Sequence, residues 1–125
     1  GTHLRGELRC TASPDHVWHI SCEEVTYQGE EQGRERFFLS CTGAHRIQVR
    51  SRKTGDHLTR PSRKGKSLKK LMIEEKIPIS MRDQLPVLEV AGCVAAAAGL
   101  GPDQAFLPQK GERAWKITIH PVNDR

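Results

Sequence analysis

Residues 46–77 read RIQVRSRKTGDHLTRPSRKGKSLKKLMIEEKI, and three patterns follow one another in them. The first is alternation. In an extended chain Ile47 and Val49 share one face, while Arg46, Gln48, Arg50 and Arg52 share the other, which predicts a strand over His45–Arg52. The apolar face calls for a core, and the opposite face presents a row of guanidinium groups to solvent. The second is a loop, Lys53–Lys66, rich in Gly, Pro, Ser and basic residues. The third is a helix. Ser67 is placed as its N-cap, the helix runs to about Lys76, and Leu68, Leu71, Met72 and the stem of Glu75 form its inner stripe. Lys66, Lys69 and Lys70 fall at its first turn, where positive charge opposes the helix dipole and an external anion would relieve it.

Charge sets this region apart. Arg46–Lys70 holds ten basic residues (Arg46, Arg50, Arg52, Lys53, Arg60, Arg63, Lys64, Lys66, Lys69, Lys70) against the single acid Asp56, a net of +9. The rest of the chain has ten basic and fourteen acidic residues, so the total of +5 conceals a polarised molecule. A same-sign field spread over a strand face, a loop and a helix start is the footprint of a polyanion-binding surface, because its self-repulsion is relieved by a bound polyanion. No aromatic residue lies between Phe38 and Phe106. Binders of single strands stack bases on aromatic rings, so this surface suits phosphate contacts to a duplex.

Outward from this segment, Pro78 ends the helix at Ile77, Ser80 and Asp83 resemble a one-turn capping box, and Pro86 stops that turn. Val87–Val90 and Cys93–Ala98 form a hairpin across Ala91-Gly92, and Trp115–His120 closes the chain with Trp115, Ile117 and Ile119 on one face. Upstream, Leu4–Cys10 and His16–Cys22 read as strands joined at Ser13-Pro14-Asp15. Val25–Tyr27 is a further short strand, Gln28–Glu35 an exposed loop, and Arg36–Cys41 a strand that turns at Thr42-Gly43. The fold class is α+β: about seven short strands in a small sandwich-like arrangement, with one main helix at about Ser67–Lys76 and a following single helical turn.

A chain of 125 residues is about one domain and can bury a real core. Its apolar runs are too short for a membrane-spanning helix, and no secretory signal is present. It begins with Gly1, as expected of a processed protein or a piece of a longer one. Cys10, Cys22, Cys41 and Cys93 show no CxxC spacing and read as reduced thiols in a cytoplasmic protein. In His16-x-x-His19-x-x-Cys22 the odd spacing sends the two histidines to opposite faces of a strand, which argues against a shared metal. No phosphate-binding glycine loop or nucleophile elbow occurs, and Glu23-Glu24, Glu30-Glu31 and Glu74-Glu75 are adjacent acids that diverge. No catalytic residue, cofactor site or metal site is assigned.

The order Phe37-Phe38-Leu39, Ile47-x-Val49-Arg50-x-Arg52-x-x-Gly55-Asp56, Lys66-x-Leu68-Lys69-Lys70-Leu71, Ile77-Pro78-x-x-x-Arg82-x-x-Leu85-Pro86-Val87-Leu88 and Val94 to Gly99-Leu100 resembles the C-terminal domain of bacterial tRNA(Ile)-lysidine synthase. The resemblance covers about Phe37 to Ile119 and implies a lysidine-synthase-like C-terminal domain over 37–125, with 1–36 as weakly matched N-terminal strands of the same region, the whole forming one compact unit. It implies a tRNA-binding domain that grips the acceptor stem. The parent would be an ATP-dependent ligase that attaches lysine to the wobble cytidine of a minor isoleucine tRNA. Its PP-loop catalytic domain would use ATP with Mg, and no such loop occurs in this chain. The implied RNA contacts are Arg50, Arg52 and Lys53 from the strand side, and Arg60, Lys64, Lys66, Lys69 and Lys70 from the loop and helix start. Arg82 either helps from the next turn or pairs with Asp83 or Glu75, and Asp56 is a turn-stabilising acid. His57 stands where many members have Arg, and Pro61-Ser62-Arg63 replaces a Gly-rich turn. The implied partners are tRNA and the parent's own catalytic domain. The alternative is a basic interaction module that docks an acidic protein, its own catalytic domain or a second copy without RNA affinity.

Overall fold

The computed structural model describes residues 5–13, 16–40 and 47–122, with side chains over 18–40 and 47–120. Within them the chain forms ten strands: β1 (Arg5–Ser13), β2 (His16–Thr26), β3 (Arg36–Ser40), β4 (Ile47–Arg50), β5 (His57–Leu58), β6 (Lys66–Ser67), β7 (Val87–Val90), β8 (Cys93–Ala97), β9 (Gly101–Pro102) and β10 (Arg113–Val122). Two short helices, α1 (Leu68–Glu74) and α2 (Ile79–Arg82), lie between β6 and β7, and a 3-10 turn spans Gln104–Phe106. One antiparallel sheet has the order β1-β2-β10-β3, a second β4-β7-β8-β9, and β5 pairs with β6 alone.

The α+β class holds, but there are more strands than the expected seven. β5, β6 and β9 are two-residue pairings fixed by neighbouring chain, too short to leave an alternating pattern. His16–Cys22 and Val25–Tyr27 are not separate strands: β2 runs unbroken to Thr26, because β10 pairs with it from Val122↔Val17 to Arg113↔Thr26. The turns expected at Pro14-Asp15 and Thr42-Gly43 lie outside the described residues.

One core joins both sheets and α1. The first sheet gives it Trp18, Ile20, Phe37, Leu39, Ile117 and Ile119, the second Val87, Leu88 and Ala95–Ala97, and α1 Leu68, Leu71 and Met72. Phe37-Phe38-Leu39 is buried throughout because β3 is covered on both faces. Phe38 turns away from the main core to a small cluster with Tyr27 and Ala114. The alanine run is strand, as its short span between two glycines implied, and a bulge opposite Leu88 and Glu89 lets Ala95, Ala96 and Ala97 all be buried. The β7–β8 hairpin turns on Ala91 (φ 53°) and Gly92 (φ 82°), the paired left-handed residues of a type I′ turn.

Helix α1 is shorter than expected. Its end is a Schellman closure: the Ile77 N–H donates to the Met72 carbonyl at 2.9 Å and the Lys76 N–H to Ile73 at 3.0 Å, with Lys76 at φ 58°. The expected capping box at Ser80 and Asp83 does not form. α2 begins at Ile79 behind Pro78 with no side-chain cap, which places Ser80 inside the turn. Asp83 is drawn instead to Arg52.

Candidate nucleic-acid interface

The basic segment is built around the small β5–β6 pairing, with His57 opposite Ser67 and Leu58 opposite Lys66. Buried Leu58 and Leu68 fasten its base to the core. The connecting loop packs tightly: a Cβ on Gly65 would lie 2.7 Å from Thr59 Oγ1, and Asp103 accepts the Thr59 N–H at 2.9 Å. Lys53 sits just before this unit, Arg63 and Lys64 on its loop, and Lys69 and Lys70 just after it on α1. All five are exposed, and none forms an ion pair among the described residues.

The other expected contacts have a different fate. Arg50 and Arg52 do not line a solvent-facing guanidinium row; their side chains are 17% and 19% exposed and turned into carboxylates. Arg50 donates two hydrogen bonds to Asp56, at 2.8 and 3.1 Å, and one to Glu89 at 2.7 Å. Glu89 is the β7 residue paired with Gln48, which brings it beside the strand's polar face. Arg52 meets Asp83 at 2.8 Å. Arg60 is buried and meets Glu75 at 2.7 Å, with Arg34 on the same carboxylate. Lys66 meets Glu74 at 2.7 Å. Arg82 pairs with neither Asp83 nor Glu75; its Nε donates to the Ile77 carbonyl at 2.9 Å, just beyond α1.

The stretch that reads as same-sign in sequence is therefore laced with acids from outside it: Glu74, Glu75, Asp83 and Glu89. Nothing in the local sequence announces this, because three of the four partners lie 15 to 39 residues from the base they meet. Arg63, counted in the basic field but not singled out as a contact, emerges as one of the free cations. Its place beside Lys64 on the loop was the available signal.

Electrostatics follow the geometry. The Arg50 hydrogen bonds hold the Asp56 carboxyl below its ordinary value, and the acids in turn raise Arg50. Arg60 likewise lowers Glu75, and Lys66 lowers Glu74. The Arg50 and Arg60 ion pairs act as braces between elements.

At α1's start, the Ser67 side chain accepts the Lys70 N–H at 3.1 Å, as the N-cap assignment required, and the Leu68 N–H donates to the Asp56 carbonyl at 2.9 Å. Two of the amides that an anion would have met are thus already used. The cations on this turn, rather than its backbone, are what solvent meets.

The sequence profile of the family described as the TilS substrate C-terminal domain matches residues 47–119, from β4 into β10. The chain belongs to this family. The tRNA(Ile)-lysidine synthase of Symbiobacterium thermophilum is 33% identical over 75 residues, which are 58% of this chain and 16% of that protein. The chain thus spans a small part of the relative's length. A crystal structure of a TilS C-terminal domain superposes with a TM-score of 0.74 at 26% identity, covering 86% of each chain. That coverage exceeds the profile match and takes in strands that precede Ile47.

Proposed function

We propose that this domain holds the acceptor stem of a tRNA by phosphate contacts from Lys53, Arg63, Lys64, Lys69 and Lys70. It would do so as the RNA-gripping part of a longer, ATP-dependent lysidine synthase that modifies the wobble cytidine of a minor isoleucine tRNA. The observation that carries the reading is the placing of five exposed cations, none in an ion pair among the described residues, around the β5–β6 pairing, with no Phe, Tyr or Trp among them. Such a surface suits phosphates and the shape of a duplex better than the stacking of unpaired bases on Phe, Tyr or Trp rings. Family membership and the likeness to a tRNA(Ile)-lysidine synthase support the tRNA context. Catalysis, with its ATP and Mg, belongs on this reading to the rest of the longer protein, and the work is cytoplasmic.

Arg50, Arg52, Arg60 and Lys66 support the surface from below through their ion pairs, and Arg82 ties the α1–α2 connection. The contact set is accordingly narrower than the full run of basic residues.

The test is fluorescence anisotropy of this chain with a labelled acceptor-stem minihelix, titrated in salt beside a single strand of equal length. Tighter binding to the stem, weakening steeply with salt, is the expected result. Equal or absent binding would overturn the reading. A second reading, an interdomain or dimer contact, draws on Ile73 and Ile79, which are 50% and 78% exposed on α1 and α2. A salt-sensitive dimer without RNA affinity in size-exclusion chromatography would favour it.

A further inference from the structure

Asp56 is the one acid inside the basic stretch, and simple charge counting makes it an obstacle to any polyanion. Its bonds say otherwise. Its carboxylate accepts both Arg50 hydrogen bonds, at 2.8 and 3.1 Å, and the backbone N–H of Lys53 at 2.8 Å. The Asp56 N–H donates to the Lys53 carbonyl at 3.1 Å, closing the turn over Gly55 at φ 93°. The Asp56 carbonyl accepts the N–H of Leu68, the first residue of α1. Arg50, for its part, is held from the other side by Glu89 on β7.

One residue therefore joins three things: the edge of the second sheet, the turn that carries Lys53, and the helix start that carries Lys69 and Lys70. We infer that Asp56 is a positioning residue for polyanion binding, whose clamp by Arg50 fixes the spacing between Lys53 and the Lys69-Lys70 pair. The inference rests on the RNA-binding reading above and deepens it. Phosphates along a duplex have fixed spacing, so cations held in register gain more than the same cations on loose segments. The acid takes no part in contacting RNA; it acts through the lysines it places.

The consequence opposes charge arithmetic. Removing an acid from a basic face would ordinarily tighten RNA binding. Asp56→Asn keeps the size of the side chain but loses the charge-assisted clamp. It is expected to weaken minihelix binding about five- to tenfold and to make the salt dependence shallower by roughly 1 to 2 phosphate contacts. Arg50→Lys leaves the net charge unchanged and cannot span both Asp56 oxygens and Glu89, so it is expected to lose binding in the same way. Asp83→Asn removes an equal charge but frees Arg52, and is expected to tighten binding.

These three variants and the wild type would be titrated with the minihelix at a temperature where circular dichroism shows each to be folded. A merely structural role would lower the melting temperature and leave the salt slope alone. Folded Asp56→Asn and Arg50→Lys with wild-type or tighter binding would overturn the positioning role and leave the RNA-binding reading standing. Failure of both to fold would make Asp56 a residue of the fold and overturn it as well. No binding by the wild type would overturn the RNA-binding reading itself, and this inference with it.

Discussion

Arg60 and Glu75 meet at 2.7 Å with side chains only 10% and 18% exposed, and Arg34 reaches the same carboxylate from the chain that leads into β3. Glu75 is the C-cap of α1, Arg60 belongs to the β5–β6 loop, and Arg34 enters from beside the first sheet. Three segments distant in sequence are fastened at one carboxylate, which fixes the loop of Arg63 and Lys64 to the body.

Glu75→Gln leaves Arg60 in a nearly closed site without its counter-charge. Removing one partner of such a pair costs more than the pair contributes, because the remaining charge is not rehydrated. A loss of about 2 kcal/mol is expected, short of a fully buried pair because some solvent reaches the carboxylate. Urea denaturation of the variant beside wild type measures it, and an unchanged midpoint would remove this contact from the fold's supports.

Acid should unfold the protein through the same braces. Asp56 and Glu75 are held below their ordinary values of 3.8 and 4.5, chiefly by hydrogen bonds from Arg50 and Arg60. In the unfolded chain these carboxylates take up protons first, so the stability they give is complete above their ordinary values. It declines as the pH falls below about 4.5 toward the lowered ones. Urea midpoints followed from about pH 7 to pH 3 should fall at the acid end, and fall less steeply in Glu75→Gln.

Three described non-glycine residues hold left-handed backbone, Ser62 at φ 64°, Lys76 at φ 58° and Ala91 at φ 53°, and the last two stand at the helix end and the hairpin turn. Each is an exposed site where the conformation, rather than a contact, limits the choice. Lys76→Gly and Ala91→Asn should each stabilise the protein by about 0.5 to 1 kcal/mol, the former at the helix end and the latter in the hairpin turn. Thermal melts of the single variants decide the point. A drop in either would mean that the native side chain makes a contact worth more than the strain.

Ser67→Ala removes the acceptor for the Lys70 N–H at the head of α1. A loss of about 1 kcal/mol is expected, and hydrogen exchange should show it as faster exchange at Lys70 and its neighbours.

Lys69→Glu should weaken stem binding alike for every stem sequence and flatten the salt dependence by more than one phosphate contact, since it replaces attraction with repulsion. Melting temperature should barely move, because Lys69 is exposed and forms no ion pair among the described residues. A loss confined to particular stem sequences would point to base readout instead.

Local chemistry is what the sequence discloses well. Ser67 as a cap, the Leu68-Leu71-Met72 stripe, the Ala91-Gly92 turn and the inward face of Trp115, Ile117 and Ile119 are all written within a few residues. The structure reproduces them because each depends on neighbours along the chain. The pairing of charges is not legible in this way. Glu89 reaches Arg50 because β7 lies antiparallel to β4, and Asp83 reaches Arg52 because α2 begins at Ile79; both are facts of tertiary arrangement. A run of arginines in an extended segment looks like an exposed stripe until the acids that cover it are in place. The exposed cations lie instead on the turn, loop and helix start, where no acid among the described residues pairs with them.

The position of β10 has a further meaning for how the chain reaches this shape. Residues 113–122 form an inner strand, flanked by β2 on one side and β3 on the other. During synthesis β2 and β3 have emerged long before the strand that separates them. They must wait without pairing to each other, open to wrong partners, while the second sheet is completed. The first sheet closes only when the last of its strands leaves the ribosome, so a message truncated before Arg113 would yield a product with bare strand edges and a strong tendency to aggregate.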